Sequence, residues 1–268
     1  DLMTDFKPKN KNIKKYVYIS AKEKTGIEEL KSKLVQVAKT KQEKFILKDI
    51  VNPKDTVVLV IPIDKAAPKG RLILPQQQVI RELLDIGATA IMTQDDNLEN
   101  TLANLKTKPK LIITDSQVFG KVNKIVPQDI ELTSFSILFS RYRGDLKRQV
   151  NAVKVLDTIK DDDKILIAEG CTHHRQCDDI GTVKLPNWIK NYTKANPEFI
   201  FTSGTEFPDD LSKYKLIIHC GGCMLNQAEM QSRLKKAHEQ NIPMSNYGTT
   251  IAYIHGILNR TLHVFSDF

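Results

Sequence analysis

Apolar and polar positions follow one another along most of the chain in a rhythm typical of βα repeats. Short, mainly apolar runs predict strands, and most are followed by a segment whose apolar residues recur at helical spacing. The predicted strands are 57–61, 88–92, 111–113, 130–132, 165–168, 198–202, 216–218 and 242–244. Since strands that alternate with helices form parallel sheets, we expect an α/β fold with two successive βα-repeat domains and mainly parallel sheets.

Helical spacing is clearest in seven segments of this region. They are 76–85, 97–105, a short one reaching about 121, 136–159, 188–194, 226–239 and 249–258. The segment 136–159 predicts one long helix that joins the two repeat domains. It carries Arg141 and Arg143, which either contact the neighbouring domain or face solvent.

The first 44 residues follow a different pattern. Residues 16–20 alternate as in a short strand, and apolar residues from Ile27 to Val37 recur on one helical face. Because one strand and one helix cannot enclose a core, we expect this segment to be the end of a larger domain. The predicted domains are therefore 1–44, 45–150 and 151–268.

Composition and charge narrow the function classes. The chain has 268 residues, 41% of them hydrophobic, and its net charge is +8. Residues 1–44 hold twelve lysines against six acidic residues, so the remainder is nearly neutral and no basic stripe predicts a nucleic-acid partner. The longest apolar run, 57–63, is far shorter than the roughly 18 to 20 residues of a membrane span, and no signal-peptide pattern is present. We expect a soluble, cytoplasmic protein without a membrane partner.

Cysteine placement carries the most chemical information. The four cysteines are Cys171, Cys177, Cys220 and Cys223. In a reducing compartment, clustered thiols are metal ligands or redox groups more often than disulfide partners. Cys171 follows one predicted strand and the Cys220/Cys223 pair follows another, so both groups should open onto one rim of the sheet.

Local spacing supports a shared site. Cys220-Gly-Gly-Cys223 stands at the start of a predicted helix, and His173 and His219 accompany the two cysteine groups. Three interpretations remain open: an iron-sulfur cluster held by three cysteines, a structural zinc ion in an interaction module, and a thiol oxidoreductase that uses the Cys220/Cys223 pair.

Four sequence motifs carry a specific resemblance. They are Cys171-Thr-His173, His219-Cys-Gly-Gly-Cys223 and the runs 62–75 and 178–186. On these motifs the chain resembles the HydF family, GTPases that serve as scaffolds in the maturation of FeFe-hydrogenase. The resemblance covers roughly residues 45–268.

The resemblance has a consequence for nucleotide chemistry. Ser20-Ala21-Lys22 is similar to the motif with which such GTPases contact the guanine base. The sequence contains neither a Gly-x-x-x-x-Gly-Lys-Ser/Thr phosphate loop nor an Asn-Lys-x-Asp motif. The resemblance therefore implies a form that lacks most of the GTPase domain. GTP hydrolysis is not expected, and GTP and magnesium belong to a full-length form.

The resemblance also implies a cofactor, ligands and partners. It places a 4Fe-4S cluster on Cys171, Cys220 and Cys223, with an exchangeable fourth position that carries a two-iron precursor. His173 and His219 would supply the fourth ligand or hydrogen bonds near the cluster sulfurs, whereas Cys177 lies outside the motif and is expected to be a bystander. The implied partners are a second copy of the chain, maturation radical enzymes and apo-FeFe-hydrogenase.

Overall fold

The computed structural model describes residues 17–37, 44–63, 72–170, 179–266 and 268. The chain forms two compact units, which meet in sequence between Lys44 and Phe45. In the described part of the first unit, a tight turn is closed by a single antiparallel bridge between Ser20 and Thr25, and helix α1 spans Ile27–Val37. Residues 17–19 form no strand, so the predicted strand is reduced there to this bridge.

The second unit begins with a four-stranded parallel sheet. Its strands follow the order β2-β1-β3-β4. The bounds are β1 Thr56–Val60, β2 Thr89–Thr93, β3 Leu111–Thr114 and β4 Glu131–Ser134, with helices α2 Leu74–Ile86, α3 Leu98–Ala103, α4 Phe119–Ile125 and α5 Phe135–Arg143. Strands β1 and β3 are buried along almost their whole length, which explains their continuous apolar sequence.

A second four-stranded parallel sheet repeats this arrangement. Its order is β6-β5-β7-β8, so strand succession reverses between β5 and β7 as it does between β1 and β3. The bounds are β5 Lys164–Ala168, β6 Glu198–Thr202, β7 Leu216–His219 and β8 Met244–Asn246, with helices α6 Leu146–Val153, α7 Leu185–Thr193, α8 Gln227–Glu239, α9 Tyr247–Ile254 and α10 Leu258–Leu262. The α/β class and the two successive βα repeats are confirmed.

The predicted long helix at 136–159 is wrong. Helix α5 ends at Arg143 and α6 begins at Leu146, followed by a 3-10 turn at Lys154–Thr158. The amide of Gly144 bonds back to the carbonyl of Ser140, while the side chain of Asp145 accepts the amide of Arg148 and starts the next helix. The apolar spacing continues across the break because both helices pack on the same core.

One hydrophobic core runs through both sheets of the second unit. It joins the buried residues of β1 and β3 to those of β5, β7 and helix α9, while a smaller cluster lies under α8. The far edges of the two sheets are covered, since α10 packs on β4 and α6 packs on β8. Across the described part of the chain, no helix has the length and apolar character needed to cross a membrane.

Candidate functional site

The two cysteine-bearing segments meet at the carboxyl ends of β5 and β7. These strands are paired neighbours, with Ala168 opposite His219. The amide of Cys220 donates to the carbonyl of Ala168 at 2.9 Å, and the amide of Gly170 donates to Cys220 Sγ at 3.0 Å. Because Gly170 directly precedes Cys171, the segment leading into Cys171 lies against Cys220.

Residues 220–226, here called the cysteine loop, turn tightly around the Cys220 sulfur. Gly222 adopts a left-handed φ of 61°, and its amide also points at Cys220 Sγ, at 3.4 Å. Two backbone amides thus face one sulfur, an arrangement that favours the thiolate and is one of the factors that tune iron-sulfur sites. Cys220 and Cys223 are both half-buried.

The cysteine loop precedes its helix instead of forming the first turn. Helix α8 begins at Gln227, and the side chain of Asn226 accepts the amide of Glu229 at 2.8 Å. The expectation that the Cys220/Cys223 pair stands at a helix start is therefore off by one turn. The amides of Gly170 and Gly222, which donate to the Cys220 sulfur, both precede the helix.

Gly170 is required by close packing between the two segments. A Cβ atom at this position would lie 2.8 Å from Leu225 Cγ and 3.4 Å from Gly222 Cα. Any larger residue would separate the end of β5 from the cysteine loop. At Gly221, by contrast, a Cβ atom would meet nothing within 4 Å.

His219 is buried behind the cysteine loop with both ring nitrogens engaged. Its Nδ1–H donates to the Cys220 carbonyl at 2.7 Å, and its Nε2 accepts from Arg233 at 3.0 Å. Burial, reinforced by the charge of Arg233 and opposed by the bond to the Cys220 carbonyl, lowers the pKa of His219 to about 4. The imidazole is therefore neutral and holds the loop backbone.

Arg233 of helix α8 anchors this histidine from the interior. Its side chain is only 2% exposed. Besides His219, it donates to Glu229 Oε1 at 2.8 Å and to the Gly204 carbonyl at 2.9 Å, and its guanidinium stacks over Phe207. A buried cation with this number of partners fixes the orientation of His219.

Two buried carboxyl groups flank the ends of the 171–178 segment. Glu169, at the end of β5, accepts a hydrogen bond from the Tyr247 hydroxyl at 3.2 Å. Burial first, and then the charge of Glu169, raises the pKa of Tyr247 well above its usual range, so the phenol stays protonated and donates. Asp179 accepts the amides of Gly181 and Thr182 at 3.0 and 2.8 Å and begins a single π-helical turn that leads into α7.

The predicted site residues are thus described in part. Cys220, Cys223 and His219 lie together, whereas Cys171, His173 and Cys177 belong to 171–178, outside the described residues. Within the residues that are described, no group of three or more His, Cys, Asp and Glu side chains is arranged to hold a metal ion. In the first unit, Ser20 Oγ accepts the amide of Glu23 at 2.9 Å, so the Ser20-Ala21-Lys22 motif forms a turn.

Sequence reasoning missed Glu169, Tyr247 and Arg233, and left Arg143 undecided. Tyr247 and Arg143 reach the site from segments that are distant in sequence, so no local spacing marks them. Glu169, directly after β5, and Arg233, on α8, are close to the cysteine motifs in sequence but belong to neither motif. The one available signal was Arg233, a charged residue on the inward face of the α8 helical pattern.

Two parallel sheets of identical strand order, with the described cysteines Cys220 and Cys223 at the rim of the second, define an α/β protein built from two halves of similar topology. Sequence profiles identify both halves: residues 46–144 match the hydrogen maturase F dimerization domain, and residues 147–264 match the hydrogen maturase F tetramerization domain. The chain belongs to the hydrogen maturase F family. This membership indicates a role in hydrogenase maturation, and the two domain types indicate an oligomeric protein.

Other comparisons add little. Comparison with curated protein sequences gives no match. Among solved structures, the chain is similar to a 5,10-methylenetetrahydrofolate dehydrogenase from the silkworm Bombyx mori, with 12% identity, a TM-score of 0.23 and coverage of 88% of this chain and 92% of that one. A similarity at this level carries no argument about fold or function.

Proposed function

We propose that this chain is an iron-sulfur scaffold and carrier in FeFe-hydrogenase maturation. Cys171, Cys220 and Cys223 would hold a 4Fe-4S cluster. The observation that carries the proposal is the hydrogen bond from the Gly170 amide to Cys220 Sγ, because it brings the residue next to Cys171 into contact with the Cys220/Cys223 loop. When bound, a cluster on three thiolates supplies one iron whose remaining ligand is exchangeable, and a two-iron precursor can be carried there.

The donor set fits such a group. Cys220 and Cys223 stand three residues apart in a glycine turn, and the amides of Gly170 and Gly222 donate to the Cys220 sulfur. These contacts stabilise a thiolate without placing a side chain over it. Glu169 and Asp179, at either end of the 171–178 segment, fix where that segment leaves and returns.

His219 supports the loop in this proposal and is not the fourth ligand. Both of its ring nitrogens are already hydrogen-bonded inside the protein, and freeing Nε2 would leave the buried Arg233 cation without that acceptor. His173 therefore remains the histidine proposed as the exchangeable fourth ligand.

The proposed homodimer would form through the open edge of the first sheet. In the described sheet, β2 pairs only with β1, and this edge strand includes Met92, which is 56% exposed. Leu84 of the neighbouring helix α2 is 63% exposed. An apolar edge strand in a region that matches a dimerization domain favours pairing with a second copy. Maturation radical enzymes and apo-FeFe-hydrogenase are the proposed exchange partners. GTP and magnesium are proposed only for a chain that carries a phosphate-binding loop.

Cysteine substitutions test the ligand set. After anaerobic reconstitution, Cys171→Ala, Cys220→Ala and Cys223→Ala should each lose stable iron and sulfide, while the matched control Cys177→Ala should keep both. Full iron retention in Cys171→Ala would refute the three-cysteine site. Zinc in place of iron and sulfide in the unsubstituted chain would favour a zinc-stabilised interaction module. Metal-free disulfide exchange that tolerates Cys171→Ala would favour a thiol oxidoreductase using Cys220 and Cys223.

A further inference from the structure

A side chain from the first half of the second unit holds the cysteine loop. Arg143, the last residue of α5, reaches across to the loop, and its Nη1 donates to the carbonyls of Gly222, Cys223 and Leu225 at 3.1, 3.3 and 3.4 Å. These three carbonyls converge on one nitrogen. A converging set of carbonyl oxygens is electronegative, so a cation is its natural partner.

Arg143 has three further contacts, two made by its guanidinium and one by its backbone. Its Nη2 donates to Gln78 Oε1 of α2 at 3.1 Å, and its Cζ lies 5.2 Å from the centroid of the Phe139 ring. The Arg143 carbonyl accepts from Gln231 Nε2 of α8 at 2.6 Å. The planar fork of arginine can serve the loop and Gln78 at once, which a lysine ammonium cannot do in the same geometry.

The anchored residues are also those that surround the sulfur. Gly222 offers its carbonyl to Arg143 and its amide to Cys220 Sγ, so the arginine holds the residue that donates to the thiol. His219 holds the Cys220 carbonyl from the opposite side. The loop is thus fixed between two cationic anchors, Arg143 outside and Arg233 behind His219.

We propose that Arg143 is a positioning residue that orders the cysteine loop for cluster binding and places a positive charge beside it. The role in cluster binding rests on the proposed function above. The ordering of the loop does not, because it is a property of the protein without a cluster. The first half of the unit therefore contributes a residue to the cysteine site of the second half.

The first test uses the metal-free chain. Alkylation of Cys220 and Cys223 with iodoacetamide, resolved by peptide mass mapping, should be roughly tenfold faster in Arg143→Gln than in the unsubstituted chain, because the loop opens more often when its anchor is lost. Arg143→Lys keeps the charge and part of the bonding, so its rate should fall between the two. If Arg143→Gln fails to fold, the alkylation rate of Arg143→Lys provides the test.

Arg141→Gln is the matched control. Arg141 lies on the same helix and also holds backbone and a carboxylate, but its partners are the Ile46 carbonyl and Asp49, away from the cysteines. Its substitution should leave the alkylation rates unchanged. Equal acceleration in Arg141→Gln, or no acceleration in Arg143→Gln, would overturn the inference.

The second test uses the reconstituted chain and separates charge from packing. Arg143→Gln should release iron to a chelator faster and lower the reduction potential of the cluster, since a nearby positive charge favours the reduced state. Arg143→Lys should keep the potential near the original value while still losing iron faster. An unchanged potential in Arg143→Gln would overturn the electrostatic part. If the unsubstituted chain takes up no cluster but the alkylation rates differ as expected, the proposed function fails and the anchoring of the loop stands.

Discussion

The two sheets of the second unit share one topology but differ at the same rim. In each sheet, the direction of strand succession reverses between the two central strands. The last paired residues of these strands are Val60 and Thr114 in the first sheet, and Ala168 and His219 in the second. Asp115, the residue after Thr114, therefore corresponds in position to Cys220, the residue after His219. Their amides make the same bond, to Val60 and Ala168 respectively.

The same correspondence places Pro62 where the second sheet has Gly170. Proline has no amide hydrogen, so the first sheet cannot make the bond with which Gly170 contacts Cys220 Sγ. The Asp115 side chain instead accepts the amide of Gln117 and starts a 3-10 turn over Ser116–Val118. The topology supplies a rim in both halves, and a few residues at its end decide which rim carries cysteine chemistry.

Substitution of Arg233, which holds His219 from the interior, should have the largest effect on the free energy of unfolding. Arg233→Met removes the bonds to His219, Glu229 and Gly204 while keeping a side chain of similar length, so we expect the free energy of unfolding to fall by about 3 kcal/mol. Urea denaturation of the metal-free chain measures this. Arg148→Met, which removes an exposed ion pair with Asp145, should cost less than about 0.5 kcal/mol. Equal effects would show that Arg233 is no anchor.

The second largest loss of stability should come from a substitution at Gly170, where the end of β5 and the cysteine loop approach closely. In Gly170→Ala the new methyl group meets Leu225, so we expect a loss of about 1 to 3 kcal/mol of unfolding free energy together with reduced iron uptake. Gly221→Ala is the matched control, because a Cβ atom there meets nothing nearby. If both variants took up iron equally, contact between the two cysteine segments would not matter for the site.

A substitution in the first sheet should weaken the dimer and leave iron uptake unchanged. Met92→Asp places a charge on the exposed side of β2, and we expect at least a tenfold weaker dimer with unchanged iron uptake. Sedimentation equilibrium over a range of concentrations gives the dissociation constant. Thr107→Asp, at an exposed position in the loop before β3, is the control for the same added negative charge. An unchanged dissociation constant would exclude the β2 edge as the dimer interface.

The smallest expected effect is a pH dependence at the contact between the halves. His255 follows α9, and its ring lies beside Gly120 and edge-on to Trp188. Burial first, and then the charge of Lys124, lowers the pKa of His255 below its value of about 6.5 in the unfolded chain. Protonation therefore favours unfolding, and stability should fall as the pH drops below about 6.5. Thermal melts of His255→Asn should show a shallower decrease over this range, and an identical decrease would remove His255 as a source.

Much of the fold could be predicted from the sequence because central parallel strands are buried on both faces. The run from Val57 to Val60 and the run from Ile165 to Ala168 therefore have no polar interruption. The break at Gly144 could not be predicted, since apolar spacing continues across it. The end of the final predicted helix was also missed: α9 stops before Gly256, whose φ is 69°, and α10 follows as a separate element.

The candidate site was predictable only where its residues are close in sequence. Cys220, Cys223 and His219 stand within one motif. Glu169 and Tyr247, or Arg143 and the Gly222 carbonyl, meet only through tertiary packing, and their sequence separations of 78 and 79 residues leave no periodic signal. The Arg143 side chain in particular could not be distinguished from a solvated one, because arginine near the end of a helix is ordinary in either setting.

Metal analysis of the unsubstituted chain tests the central claim most directly. Iron, sulfide and zinc should be measured together with reduced-state EPR after anaerobic reconstitution at known protein concentration. The account predicts about four irons and four sulfides per chain, and an EPR signal that changes when imidazole is added to the exchangeable position. About one zinc with no sulfide, or a chain that retains no metal, would contradict it.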